Sequence, residues 1–372
     1  MKRPDQKHIT KLFLILLLPG GFLLSEITSG FPSLVEKYYS LGADKLLIQF
    51  LSYVTGIIPF SLAEILVISL AFYVLWKIIQ IILLFGRRKL TFRKIGVCSL
   101  NLLVIVSLLY FSFVIIWGLN YNRMTFAQIA GLKISPASTE ELAHLCETLI
   151  DRTNTLRAEV NEDHKGVMRL SDKEKAFTRA YAGYHRAALV YPQLNGDFGQ
   201  AKGIIFSEAM SYAGLSGIFF PFTGEANVNM DAPECFLPCT IDHEMAHQRG
   251  FAREDEANYI AYYTCRLNPD INFQYSGYLL ALVNSMNSLE RYDPKKYAQL
   301  EKRLDVGVKR DLSDLSTYWT KHEGVLERLS SGVNDFHLRL NHQNAGVYSY
   351  GRMVDLLIAE SRTEHLQETS KR

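Results

Sequence analysis

Two long apolar runs, Phe60 to Phe85 and Ile95 to Trp117, constrain this chain more than any other feature. Each exceeds the ~20 residues an α-helix needs to cross the hydrocarbon of a bilayer. In lipid the backbone has to satisfy its own polar groups, so runs of that length predict spanning helices. A third run, Leu12 to Leu24, follows a start bearing Lys2, Arg3, Lys7 and Lys11. That is the layout of a signal peptide, but no small-x-small cleavage site follows, and a retained helix to about residue 31 is expected. Residues 1–118 therefore read as a membrane region with spans over 10–31, 60–85 and 95–118. Inside it, 33–58 carries Glu36, Lys37, Asp44 and Lys45 ahead of the apolar stretch Leu46–Ile58. This pattern predicts an interfacial helix or hairpin.

Basic residues in short flanks set orientation. They gather at the N-terminus and between the last two spans, at Arg87, Arg88, Lys89, Arg93 and Lys94, while 26–58 is balanced. The expectation is a multi-pass protein of the cell membrane with a cytoplasmic N-terminus and residues 119–372 outside. Overall charge is nearly even, 40 Lys+Arg against 38 Asp+Glu, which excludes a chain built to coat nucleic acid.

Residues 119–372 read as mostly helical. Helical spacing of apolar residues marks 137–160, where Ser138-x-x-Glu141 has the form of a capping box, and also 172–193, 270–290, 307–340 and 349–362. Between Gly214 and Pro233 the pieces Ile218–Phe220 and Ala226–Met230 alternate and are punctuated by glycine and proline, which predicts a small strand pair.

The chemistry concentrates at His243-Glu244-x-x-His247. Two histidines at i and i+4 share one helical face and can converge on one ion. The glutamate beside the first ligand is where a zinc hydrolase needs a base for the proton of metal-bound water. Gly250, three residues on, is suited to end the helix in a left-handed turn. The chain then enters Glu254-Asp255-Glu256-Ala257-Asn258 and another helical run, and a catalytic site of three protein ligands needs one more carboxylate or imidazole.

The segment resembles gluzincin-type peptidases, in which the third ligand is the Glu of a Glu-x-x-Ala-Asp/Asn helix. Carried over residue by residue, this implies Glu254 as third zinc ligand beside His243 and His247, with Asn258 supporting a ligand histidine. Glu256 is the rival, about 200° round the helix. A metzincin would carry His or Asp at 253, where Arg253 stands. An edge strand ahead of the motif pairs with substrate in gluzincins, and Ala226–Met230 is the candidate. Through His243–Tyr263, the basic-loop membrane half and Val347-Tyr-Ser-Tyr-Gly-Arg-Met, the chain also resembles a family of bacterial membrane proteins described as domain of unknown function 3810.

The expected fold is therefore mainly α: a three-helix transmembrane region, then an extracytoplasmic, mostly helical zincin-like domain with a small β-sheet. The expected function is a membrane-anchored zinc metallopeptidase with one Zn2+ per chain. Glu244 is general base, the substrate is a peptide or protein, and the bilayer is the other partner. Tyr350 and Arg352, in a short glycine-flanked segment, are candidate donors to the tetrahedral oxyanion. The alternative is a non-enzymatic sensor or scaffold with a closed structural site, its fourth ligand drawn from Asp242 or Glu256. An intramembrane protease is disfavoured, since His243 lies over 120 residues beyond the last span among polar neighbours. His337 and His342 are five apart and do not make a second site. Cys146, Cys235, Cys239 and Cys265 would face an oxidising compartment, where Cys235–Cys239 closes a small loop or all remain buried thiols.

Overall fold

The computed structural model describes residues 6–87, 91–340 and 352–370. Three helical stretches are long and apolar enough to cross a membrane: Thr10–Ser29, Leu62–Gly86 and Phe92–Ile116. The first is interrupted, Gln6–Ile15 giving way to Leu17–Ser29. The cause is Pro19, which has no N–H to offer the Ile15 carbonyl. Ser61 and Thr91 cap the other two, each side-chain oxygen accepting from a backbone N–H three residues on. The first and third stretches pack together, with the Phe22 and Tyr110 rings 4.6 Å apart. The second stands apart, with none of its apolar window buried.

The segment after the first span is neither a hairpin nor a free interfacial helix. It is a continuous helical rod made of Pro32–Leu34, the π-helical Val35–Asp44 and Lys45–Gly56. Glu36, Ser40, Asp44, Ile48, Ser52 and Thr55 recur at helical spacing and are all buried. They face the residues beyond 118. The Arg123 guanidinium clasps Glu36 with two bonds of 2.7 and 2.8 Å, and Thr55 Oγ1 donates to the Thr223 carbonyl at 3.1 Å. The rod thus packs as part of the extramembrane body.

That body is helical. Lys173–Ala188, Glu254–Leu267 and Ile271–Tyr292 pack on the helix Leu237–Gln248 that carries the His-Glu-x-x-His motif, and Thr139–Arg157 packs on the outer side of Ile271–Tyr292. The Ser138–Glu141 capping box is formed. The expected long helix 307–340 is two, Val306–His322 and Val325–Leu340, separated at Glu323-Gly324. Pro294–Glu301 adds a short helix that periodicity did not suggest. Met353–Ser370 closes the chain.

Three strands form one small sheet: β1 (Lys202–Ile204), β2 (Gly217–Phe220) and β3 (Glu225–Asn229), in the order β1-β3-β2. The β2–β3 pair is antiparallel, with Ile218 opposite Asn227, and β1 runs parallel to β3. This corrects the expected edge. The candidate strand, β3, is paired on both sides, and β1 and β2 are the edges. Sequence alternation marked β2 and β3 but not the three-residue β1.

The ends of all three spans meet this body. Asn122 donates to the Ser25 carbonyl at 2.7 Å and to Thr28 Oγ1 at 2.9 Å. Glu225 of β3 accepts the backbone N–H groups of Leu62 and Ala63 at 3.1 and 2.8 Å, and so satisfies the first turn of the second span. Lys202 lies 2.6 Å from the same carboxylate and balances its charge. In return Glu64, in that first turn, accepts from Ile205 and Phe206 N–H at 3.2 and 2.7 Å. All five cysteines are free thiols, and the four outside the spans are buried, so Cys235 and Cys239 do not form a disulfide.

Candidate metal centre

The motif helix starts with Pro238 in its first turn and ends in a Schellman turn. Phe251 N–H bonds the Ala246 carbonyl at 3.1 Å and Gly250 N–H bonds that of His247 at 2.9 Å. Gly250 has φ +78°, so the left-handed position expected of it is occupied. A side chain there would also run into Asn120. The turn reverses the chain at once, and Glu254 becomes the first residue of the next helix, back beside the histidines.

His243 Nε2, His247 Nε2 and a Glu254 Oε form a triangle with sides of 3.0, 3.2 and 3.6 Å. Two ligands held at about 2.0–2.1 Å by a tetrahedral zinc are about 3.3 Å apart, so the three donor atoms fit a shared ion. A two-His, one-carboxylate donor set is one that catalytic divalent metals take, zinc among them. His247 is oriented from behind, its Nδ1 lying 2.8 Å from the Phe251 carbonyl. This is how a ligand imidazole is fixed in one tautomer. Asn258, expected to support a ligand histidine, lines the same cavity as His243, His247 and Glu254. Burial opposes charge on His247, but the Glu254 carboxylate outweighs it and holds the imidazole up at about 9. Burial likewise opposes charge on Glu254, and His247 and His243 overcome it and hold that carboxyl well below its usual range.

Glu244 shares the cavity and is buried. Burial pushes its carboxyl above the usual range, and the two histidines partly counter this. Its carboxylate lies against Gly217 of β2, where any Cβ would collide with it. Gly217 was legible as strand punctuation, not as the residue that makes room for the base. Glu256 turns away to Phe126 N–H at 3.0 Å and Arg253 at 3.1 Å. Asp242 is buried against Thr264 and Cys265, at 2.7 and 3.3 Å. Among the described residues no fourth His, Cys, Asp or Glu joins the set. Arg352 is exposed and close to Asp255 and Asp355, whose carboxyls it draws down against their burial, and it does not line the cavity. Tyr348, Tyr350 and His342 lie outside the described residues.

The cavity in front of the triangle has a volume of about 500 Å³. Part of its wall was missed in the sequence: Phe113, Trp117 and Tyr121 come from the end of the third span and the turn that follows. Trp117 Nε1 donates to the His247 carbonyl at 3.1 Å. Arg123 donates to that of Arg249 at 3.1 Å. The only hint was the density of Trp, Tyr and Asn in 117–122, where the apolar run stops. An aromatic residue there reads equally well as an interfacial anchor.

A protein-family model described as "Protein of unknown function (DUF3810)" matches residues 39–358. The chain belongs to that family. The match takes in most of the rod, the apolar helices Leu62–Gly86 and Phe92–Ile116, and most of the body beyond residue 118. No curated protein and no solved structure is detectably similar.

Proposed function

We propose that this chain is a membrane-anchored, zinc-dependent metallopeptidase whose body lies on the extracytoplasmic side. One observation carries the reading: three donor atoms at ligand spacing share a cavity with a buried glutamate next in sequence to the first ligand. His243, His247 and Glu254 would hold the ion. Zinc, when bound, supplies a Lewis acid that acidifies water and polarises a carbonyl. Glu244 takes the proton from the attacking water as the new C–O bond forms. It then delivers that proton to the amide nitrogen as the C–N bond breaks, so the base becomes the acid. The raised affinity of its carboxyl for a proton suits both steps.

A purely structural site would be closed by a fourth protein ligand. Asp242 and Glu256, the residues expected to supply that ligand, are held by other partners, which favours the hydrolytic reading over a scaffold. The basic residues at the N-terminus and in 87–94 support the orientation. The test is cleavage of a randomised peptide library by the detergent-purified chain, wild type beside Glu244→Gln. Wild-type cleavage that disappears in the variant, with metal content equal in both, supports the reading. Cleavage unchanged in the variant would overturn it.

A further inference from the structure

We infer that the substrate is a polypeptide itself anchored in the membrane, cut close to where it leaves the bilayer. This rests on the peptidase reading and names its substrate class. The first argument is the cavity wall. Phe113 lies three residues before the end of the third span, about 4.5 Å inside it along the helix axis. Trp117, immediately after the span, also faces the cavity and is bonded to the backbone of a ligand residue. The metal ligands lie far beyond the span in sequence, yet the space in front of them reaches its last turn.

The second argument is exposed apolar surface. Ile205 and Phe206 are 71% and 61% exposed, costly in water for two adjacent large apolar side chains. Their backbone N–H groups are held by Glu64, in the first turn of the second span, so they sit at the depth where that span begins. Ile218, exposed on the edge strand β2, lines the same cavity as Phe113. Apolar side chains thus stand exposed at the level where the second span begins, and another stands in the cavity wall. A soluble peptide gains little from such a surround. A chain emerging from lipid brings an apolar segment to match it, and its anchor cuts the entropy cost of reaching the site.

The experiment uses the full chain reconstituted in phosphatidylcholine vesicles. The probe is a library of randomised decapeptides joined to a Leu/Ala transmembrane helix. Its Gly/Ser spacers are about 2, 10 or 25 residues long, reaching roughly 7 Å when extended for the shortest and much further for the longest. The same decapeptides are also supplied free in solution. Released fragments are quantified by mass spectrometry, with Glu244→Gln as control in every arm. Cleavage at least tenfold faster with the shortest spacer than with the longest, and slower still for the free peptides, is the expected result. Glu244-dependent cleavage at equal rates in all arms would overturn the inference and leave the peptidase reading standing. Cleavage in no arm would overturn both.

Discussion

The indole N–H of Trp117 and the carbonyl oxygen of His247 are 3.1 Å apart, and through this bond the end of the apolar helix Phe92–Ile116 is tied to the backbone of a candidate metal ligand. The two rings also meet edge to face, with centroids 6.1 Å apart. Trp117→Phe keeps most of the ring and removes the donor. The His247 carbonyl retains Gly250 N–H, so the stability loss is that of one bond, about 0.5–1.5 kcal/mol. The larger effect is expected on the metal, since loosening the support of a ligand typically costs ~10–100-fold in affinity. A chelator-competition titration checks this. Unchanged affinity would mean that the joint does not reach the ligand.

Glu36 and Arg123 form a buried bidentate pair between the helical rod and the turn after the third span. Removing one partner leaves the other charge buried and alone. Glu36→Gln is therefore expected to destabilise by about 3–5 kcal/mol. Thermal unfolding in detergent reads this out as a clear fall in Tm. A shift within error would show that the rod contributes little to holding the body together.

Gly217 makes room for Glu244. Gly217→Ala should displace the base without touching the ligands. Metal content is expected to stay at the wild-type level while kcat falls by ~10²–10⁴-fold, the range that a positioned base contributes. Loss of metal instead would mean that β2 supports the ligand set itself.

Asp44 gives a pH dependence outside the metal centre. Burial pushes its carboxyl up to about 7, against the opposing pull of Asn120 and Arg123, and one of its oxygens has no hydrogen-bond partner. The folded chain thus binds a proton there that the unfolded chain has released above about pH 4. Its contribution to stability is present below that pH and is lost as pH rises toward 7, on the order of a few kcal/mol. Asp44→Asn should flatten the fall in Tm between pH 5 and 8 and raise Tm at pH 8. A variant that follows the wild-type slope would contradict this.

The spans were legible because hydrocarbon imposes one length and one composition, and the three stretches fall within a few residues of expectation. His243, His247 and Glu254 were legible because helical spacing and a glycine turn are local properties. What stayed hidden was non-local. Nothing in Glu64 or Glu225 announces that Glu225 accepts the Ala63 N–H and Glu64 the Phe206 N–H across some 140–160 residues. Residues 33–58 show charges and apolar positions on a helical pattern, but periodicity does not say which partner covers a face, and the partner is protein. Trp117 carried two meanings, interfacial anchor and cavity wall, and only the fold distinguishes them. The bond that orients His247 comes from a main-chain oxygen, which no side-chain pattern records.

The central claim is that His243, His247 and Glu254 hold one catalytic metal ion. Its most direct test is the metal content of the detergent-purified full chain by plasma mass spectrometry, wild type beside His243→Ala and Glu254→Ala. About one zinc per chain in the wild type, lost or sharply reduced in both variants with the fold retained by circular dichroism, is the predicted result. No stoichiometric metal in the wild type, or metal that both variants retain in full, would contradict it.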